Sequence, residues 1–324
     1  MTVILGGWSG VWAQAPTQIE VERLMTADAA AGDLFGYSLD LSSDGNTALI
    51  GAYADNHAGG FDAGAAYVFV RDSNGDWSLP AAAIKLVAAE AALNNWFGWA
   101  VALSGDGETA VVGAHRNIHA GGFEAGAAYV FERSLAGGWD QVAKLTASDA
   151  LMGDRFGWSV DVSDDGRRVL VGAYNDDHSG INDAGSAYVF ARDASDTWAA
   201  PVEEARLFAA DAAATDWFGH DVALSGDGQT ALVGSMLDNH SGTGDGGSAY
   251  VFTRSALGVW TSAASATKLI ASDVASGDRF GVSVCLSFSG DKAMVGAYLA
   301  DIATDSAAGA AYLFERDGAG TWGP

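Results

Sequence analysis

Four histidines stand six residues after a glycine, at His57, His119, His178 and His240, and acids surround them. The densest stretch, residues 175–185, reads NDDHSGINDAG. Imidazole and carboxylate are ligand types for divalent cations. The acidic companions are Asp55 and Asp62 beside His57, and Glu124 after His119. Asp176 and Asp183 flank His178, and Asp238 and Asp245 flank His240. A metal cage, a binding surface and a set of polar turns all use such residues. The spacing argues against the cage, because each stretch offers one histidine and the fifth copy has Ile302 instead. Asp, Asn and His also make short bonds to nearby backbone, which recur wherever a turn recurs. We read the stretches as loops that make one face acidic, and assign no metal or other cofactor to them. Catalytic signatures such as GxSxG, HExxH or a spaced Cys–His pair are missing. A catalytic group is expected once, not in four copies.

The loops are spaced by the elements that carry them. Phe-Gly recurs at Phe35, Phe97, Phe156, Phe218 and Phe280, a period of 59 to 62 residues. Each copy continues to a glycine that ends an apolar run (Gly51, Gly113, Gly172, Gly234, Gly296), and sixteen residues later to a tyrosine in AYVF or AYLF. Repeats of this length signal a repeat architecture. Within one copy, FGWSVDVS alternates with the period of a strand, placing Trp158, Val160 and Val162 on one face. A DDG turn, RRVLVGAY, the polar loop, SAYVFAR and TWAAPVEEARLFA follow, which gives four strands. No stretch has a helical period. The chain is therefore predicted to be all-β: over residues 16–324, one β-propeller of five four-stranded blades, each burying its faces against its neighbours. The last copy reaches GTWGP without a fourth strand, and QIEVERLMTAD precedes the first Phe-Gly. Pairing that N-terminal strand into the last blade would close the ring and hide both edges. The alternative is part of a longer array.

Composition narrows the partners. Net charge is −25, yet 49% of residues are hydrophobic and 10% aromatic, unlike a disordered acidic chain. An acidic surface over an ordinary core repels nucleic acid and anionic lipid and favours cations or basic partners. No apolar run is long enough to span a membrane. Residues 1–15 end in Ala13-Gln14-Ala15 and read as the remnant of a signal peptide lacking its basic start, which places the protein outside the cell. The single Cys285 allows no internal disulfide and reads as a small buried residue.

Phe-Gly and VGA or a close variant in every copy resemble the FG-GAP repeat, the blade unit of integrin α-subunit propellers and of many bacterial surface proteins; GSAYVF, in the third and fourth copies, makes the chain most similar to the bacterial type. The resemblance implies a propeller used for extracellular binding or adhesion. Several integrin blades carry a calcium loop, DxDxDGxxD, between their first two strands. Here the loop is shorter, with DLSSDG and DVSDDG as stubs, while Ala102, Ala223 and Cys285 occupy the first ligand position elsewhere. Calcium takes six to eight oxygens, so that site is not carried over.

Ligand positions need not repeat, whereas scaffold positions should. The residue after Phe-Gly varies as Tyr37, Trp99, Trp158, His220 and Val282, and Trp96 and Trp217 precede Phe-Gly where other copies have Leu34, Arg155 and Arg279. Aromatic rings beside carboxylates on a concave face suit a sugar or a basic peptide. The expected function is non-catalytic recognition or adhesion, with a protein or glycan partner held by the acidic loop face. A lectin-like propeller and a propeller hydrolase are the alternatives.

Overall fold

The computed structural model describes residues 22–77, 82–240 and 242–323. The signal-peptide reading and the start of the N-terminal strand lie outside them.

Each Phe-Gly copy forms one antiparallel four-stranded sheet, its strands adjacent in chain order. Blade 1 holds β1 (Leu39–Leu41), β2 (Thr47–Ala52), β3 (Ala65–Val70) and β4 (Ile84–Leu86). Blade 2 holds β5 (Ala100–Leu103), β6 (Thr109–Ala114), β7 (Ala127–Arg133) and β8 (Trp139–Leu145). Blade 3 follows with β9 (Ser159–Val162), β10 (Arg168–Ala173), β11 (Ser186–Ala191) and β12 (Val202–Leu207). Blade 4 is β13 (Phe218–Leu224), β14 (Thr230–Ser235), β15 (Ser248–Thr253) and β16 (Thr267–Leu269). Blade 5 is β17 (Phe280–Leu286), β18 (Lys292–Ala297), β19 (Ala310–Arg316) and β20 (Trp322–Gly323). The last blade thus begins a fourth strand of its own, which the sequence reading had denied it.

The turn between first and second strands is set by one carboxylate. Asp44 accepts the Ser42 hydroxyl at 2.7 Å and the Asn46 N–H at 2.9 Å. Asp165 does the same with Ser163 and Arg167 at 2.6 and 3.0 Å. This is the side-chain capping that makes Asx residues turn formers.

The core lies in the seams between blades. Phe97, Phe156, Phe218 and Phe280 are fully buried, and each meets the tyrosine of its own third strand edge-on or tilted, as Phe97 does Tyr129 at 5.4 Å. Four seams repeat one join. Gly64, Gly126, Gly185 and Gly247 bridge in parallel to the phenylalanine of the next blade. At Gly51, Gly113, Gly172 and Gly234 an added Cβ would stand 2.0 to 2.2 Å from the carbonyl oxygen of the next Phe-Gly glycine. Only glycine permits that approach.

The fifth seam is not made among the described residues. Gly296, the counterpart of Gly234, has no atom within 3.6 Å of a built Cβ, its nearest being Ser283 at 3.7 Å, and Gly36 has none within 4 Å. Leu39 (72% exposed) and Leu41 on blade 1, and Met294 and Leu313 (56% exposed) on blade 5, face solvent. Among the described residues the expected closure by an N-terminal strand is not seen: residues 22–28 form no strand, and Leu24 packs on the core of blade 1. Cys285 is exposed rather than buried because it lies on this uncovered side of blade 5.

Candidate functional site

The loops that carry histidine and acid form a rim, and most of their acid is already engaged. Asp55, Asp176 and Asp238 are buried. Asp55 accepts the Tyr67 hydroxyl at 2.7 Å and Lys85 Nζ at 2.8 Å, and Lys85 also reaches Asp28 at 2.7 Å. Blade 3 repeats the network with Tyr188, Arg206, Asp176 and Asp149. Blade 4 repeats it with Tyr250, Lys268, Asp238 and Asp211. Burial and the adjoining carboxylates push the three tyrosine hydroxyls upward. Against the pull of burial, Lys85 and Lys268 hold Asp28 and Asp211 below the usual carboxylate range. Asp33, Asp154, Asp216 and Asp278 are buried too. Asp154, for example, caps the Leu151 N–H at 2.6 Å. The rim is thus less acidic to solvent than its sequence suggests.

The histidines serve the loops. His57 accepts the Gly59 N–H on Nδ1 at 3.0 Å and donates from Nε2 to the Gly64 carbonyl at 3.0 Å. His119 repeats both bonds, at 3.1 and 2.9 Å, and His240 repeats the second at 2.9 Å. His178 differs, stacking on Phe208 with centroids 3.9 Å apart. Asp62, Asp183 and Asp245 sit in left-handed backbone, and their N–H groups donate to the side-chain oxygens of Asn56, Asp177 and Asn239 at 2.8 to 2.9 Å. Glu124 is buried between Arg116 at 2.6 Å and Arg155 at 2.5 Å. Among the described residues, no three Asp, Glu, His or Cys side chains converge as metal ligands.

The second region lies on the axis. Tyr37, Trp99 and Trp158, just before the inner strands β1, β5 and β9, and His220 and Val282, near the start of β13 and β17, line one cavity of about 610 Å³. Their rings form a belt: Tyr37 to Trp99 at 4.6 Å, Trp99 to Trp158 at 4.8 Å, Trp158 to His220 at 5.7 Å. Outside it stand Tyr53, His115 and Tyr174, each just beyond the second strand. Tyr53 lies 4.6 Å from Tyr37 and Tyr174 4.6 Å from Trp158. Trp96 stacks on Trp99 at 5.5 Å, and Trp217 on His220 at 6.3 Å. These tilted and offset contacts are the arrangements that aromatic pairs favour.

Backbone strain aims the outer rings. Leu34, Trp96, Arg155, Trp217 and Arg279, the residues before Phe-Gly, all have φ between 56° and 63°. Each donates its N–H to the previous blade's loop where that blade exists, as Trp96 does to the Asp62 carbonyl at 3.3 Å. Where the residue is arginine its charge is met by that loop, Arg155 by Glu124 and Arg279 by Asp245 at 3.3 Å. Where it is tryptophan it joins the belt.

Below the mouth the channel wall carries carboxylates that clamp neighbouring blades. Asp40 accepts the Leu103 N–H at 2.7 Å, Asp161 the Leu224 N–H at 2.6 Å, and Asp221 the Val284 N–H at 2.7 Å. Burial raises all three, Asp161 to about 7 and Asp221 to about 6. At the mouth burial, and then Arg155 and Arg116, push His115 down to about 2, so that it stays neutral. Burial also lowers His220.

The structure therefore brings Tyr37, Trp99, Trp158 and His220 together, and leaves Asp55, His57, Asp62, His119, Glu124, Asp176, His178, Asp183, Asp238, His240 and Asp245 distributed around the rim. Tyr53, His115 and Tyr174 were missed. Their signal was available, since the residue after Gly-Ala or Gly-Ser varies as Tyr53, His115, Tyr174, Met236 and Tyr298.

Five four-stranded blades around an axial cavity define a propeller-type scaffold. The chain belongs to the FG-GAP repeat family, whose model matches residues 19–69, 82–131, 139–190, 201–252 and 264–314. No curated protein matches the chain.

Proposed function

We propose that the protein is a non-catalytic recognition module of the cell exterior, and that its ligand enters the axial mouth rather than resting on the acidic rim. The observation that carries this reading is the unbroken belt Tyr37–Trp99–Trp158–His220 over a carboxylate-bearing channel. Aromatic faces attract cations, and a net charge of −25 draws basic partners inward. A protruding Lys or Arg of a protein partner fits that chemistry. A sugar is the second reading, favoured by the neutral His220 beside the Trp158 face, which offers stacking with a polar handle. Family membership supports the extracellular setting, and no helix among the described residues is long and apolar enough to cross a membrane.

Titration with Lys- and Arg-rich peptides and a glycan array, read by tryptophan fluorescence, tests the proposal. Trp158→Ala is expected to weaken binding at least about tenfold, as loss of an aromatic anchor does. Equal capture by wild type and Trp158→Ala would refute the mouth as the site. Turnover of an ester or glycoside panel, abolished by one substitution, would refute the non-catalytic reading.

A further inference from the structure

Buried polar atoms without a partner are rare in folded proteins, and each calls for an explanation. Among the described residues, five of the twelve such side-chain atoms lie at or behind the mouth: Trp96 Nε1, both ring nitrogens of His115, Arg155 Nε and His220 Nδ1. His115 is the extreme case. It is wholly buried, and its imidazole is walled by Trp96, Trp99 and Trp158, all edge-on, with centroids 5.5, 4.6 and 4.9 Å away. A tryptophan face can receive an N–H weakly, but no tryptophan N–H reaches the second nitrogen. The blade does not require an imidazole, since the equivalent residue is tyrosine in blades 1, 3 and 5 and methionine in blade 4. Trp96 and His115 together offer two donors, the indole N–H and one imidazole nitrogen, and one acceptor, the other imidazole nitrogen. Burial, then Arg155 and Arg116, push His115 down to about 2, so the ring stays neutral and an ammonium brought to it would meet two guanidinium groups. A carboxylate would take the donors and leave the acceptor bare. Neighbouring hydroxyls, each both donor and acceptor, fill all three positions.

We propose that Trp96 and His115 form a concealed polar subsite behind the aromatic belt, and that a sugar in the mouth reaches it by displacing Trp99 from Trp158 and setting two adjacent hydroxyls against the indole and imidazole nitrogens. The subsite presupposes the mouth as the binding site and selects the sugar over the basic side chain. Trp99 and Trp158 supply the apolar surface beside those hydroxyls. Unpaired in the free protein, the His115 nitrogens are met only in the complex. Replacing such a group by an apolar ring relieves the free protein and weakens the complex. A structural role would move both in the same direction.

Calorimetric titration of the full chain with the methyl glycosides of glucose, galactose, mannose and N-acetylglucosamine tests this. At least one is expected to bind, and Trp158→Ala to abolish its binding. His115→Phe should melt no lower than wild type, while its affinity for that glycoside falls about tenfold, as loss of a hydrogen-bonding group does. Trp96→Phe keeps a ring against Trp99 and removes the indole N–H, with an expected loss of severalfold. Capture of basic peptides through Trp158 with no glycoside bound would leave the mouth standing and overturn the subsite. So would a glycoside affinity unchanged in both variants, or a His115→Phe protein whose melting temperature falls along with its affinity. Binding of neither ligand class would sink the mouth and the subsite together.

Discussion

At the rim, blades 1, 3 and 4 build nearly the same object from Tyr67, Tyr188 or Tyr250, a buried Asp and a Lys or Arg. At the mouth, the equivalent position runs Tyr37, Trp99, Trp158, His220, Val282. Both regions are rich in groups that bind ligands, yet the rim's groups bind one another. Its repetition follows from that: the third strand, fourth strand and loop must be tied together, and in these three blades a carboxylate bridging tyrosine and a cation does so. The mouth has no such duty, because the joins beneath it are made by glycine, backbone and the channel carboxylates Asp40, Asp161 and Asp221. Repetition here marks architecture, and variation marks the surface free to recognise something.

The comparison breaks first at Asp238. Asp238→Ala leaves the Tyr250 hydroxyl and Lys268 with only Asp211, and should cost about 3 kcal/mol, as removal of one partner from a buried ion pair does. Thermal or denaturant unfolding would measure the loss, and ligand capture at the mouth should be unchanged. Asp238→Asn should cost less, because blade 2 already uses Asn117 against Tyr129 at 3.1 Å.

Next come two pH effects of opposite sign. Asp161, raised to about 7 by burial, holds its proton in the fold at pH values where the unfolded chain has released it. Stability from that proton is present at lower pH and lost as pH rises through about 7. Wild type should therefore lose ground to Asp161→Ala in melting temperature between pH 5.5 and 8. That slope rides on a constant deficit in the variant, whose Leu224 N–H has lost its acceptor. His115 acts the other way. Its folded pKa is depressed to about 2, so its contribution is present above about 6.5 and lost as pH falls. His115→Tyr, the residue of blades 1, 3 and 5, should gain on wild type below pH 6.5. Equal slopes in all three proteins would show that these groups titrate normally.

The smallest expected effect is that of chelation. The turn carboxylates Asp44 and Asp165 accept neighbouring N–H and hydroxyl groups, so a chelator should shift the melting temperature by less than ~1 °C. A drop of several degrees would move these turns into the ligand-binding class.

Much of the scaffold was legible because local chemistry determines it. Each Asp-Gly turn, each AYVF strand and each Phe-Gly recurs in the chain, and five sheets followed. What failed to show was pairing at a distance. Asp55 looks like a surface acid until Lys85, thirty residues on, is seen beside it. The fifth seam is of the same kind: a closed and an open ring are written with identical blades, and among the described residues only the space beside Gly296 and Gly36 bears on it. Tyr53, His115 and Tyr174 were overlooked because they sit just past a strand end, where the polar loop draws attention.

The left-handed residue before each Phe-Gly has an evolutionary consequence. The conformational cost there, on the order of 1 kcal/mol, falls on the main chain and is similar for Leu, Trp or Arg. A change of side chain at Leu34, Trp96, Arg155, Trp217 or Arg279 therefore leaves the blade's own geometry untouched. Where no ion pair ties the residue to the previous blade, as at Trp96 and Trp217, the displayed side chain can change one blade at a time at little cost to the fold. The ring works as a row of independently set characters, and the strain in the backbone keeps each one facing the reader.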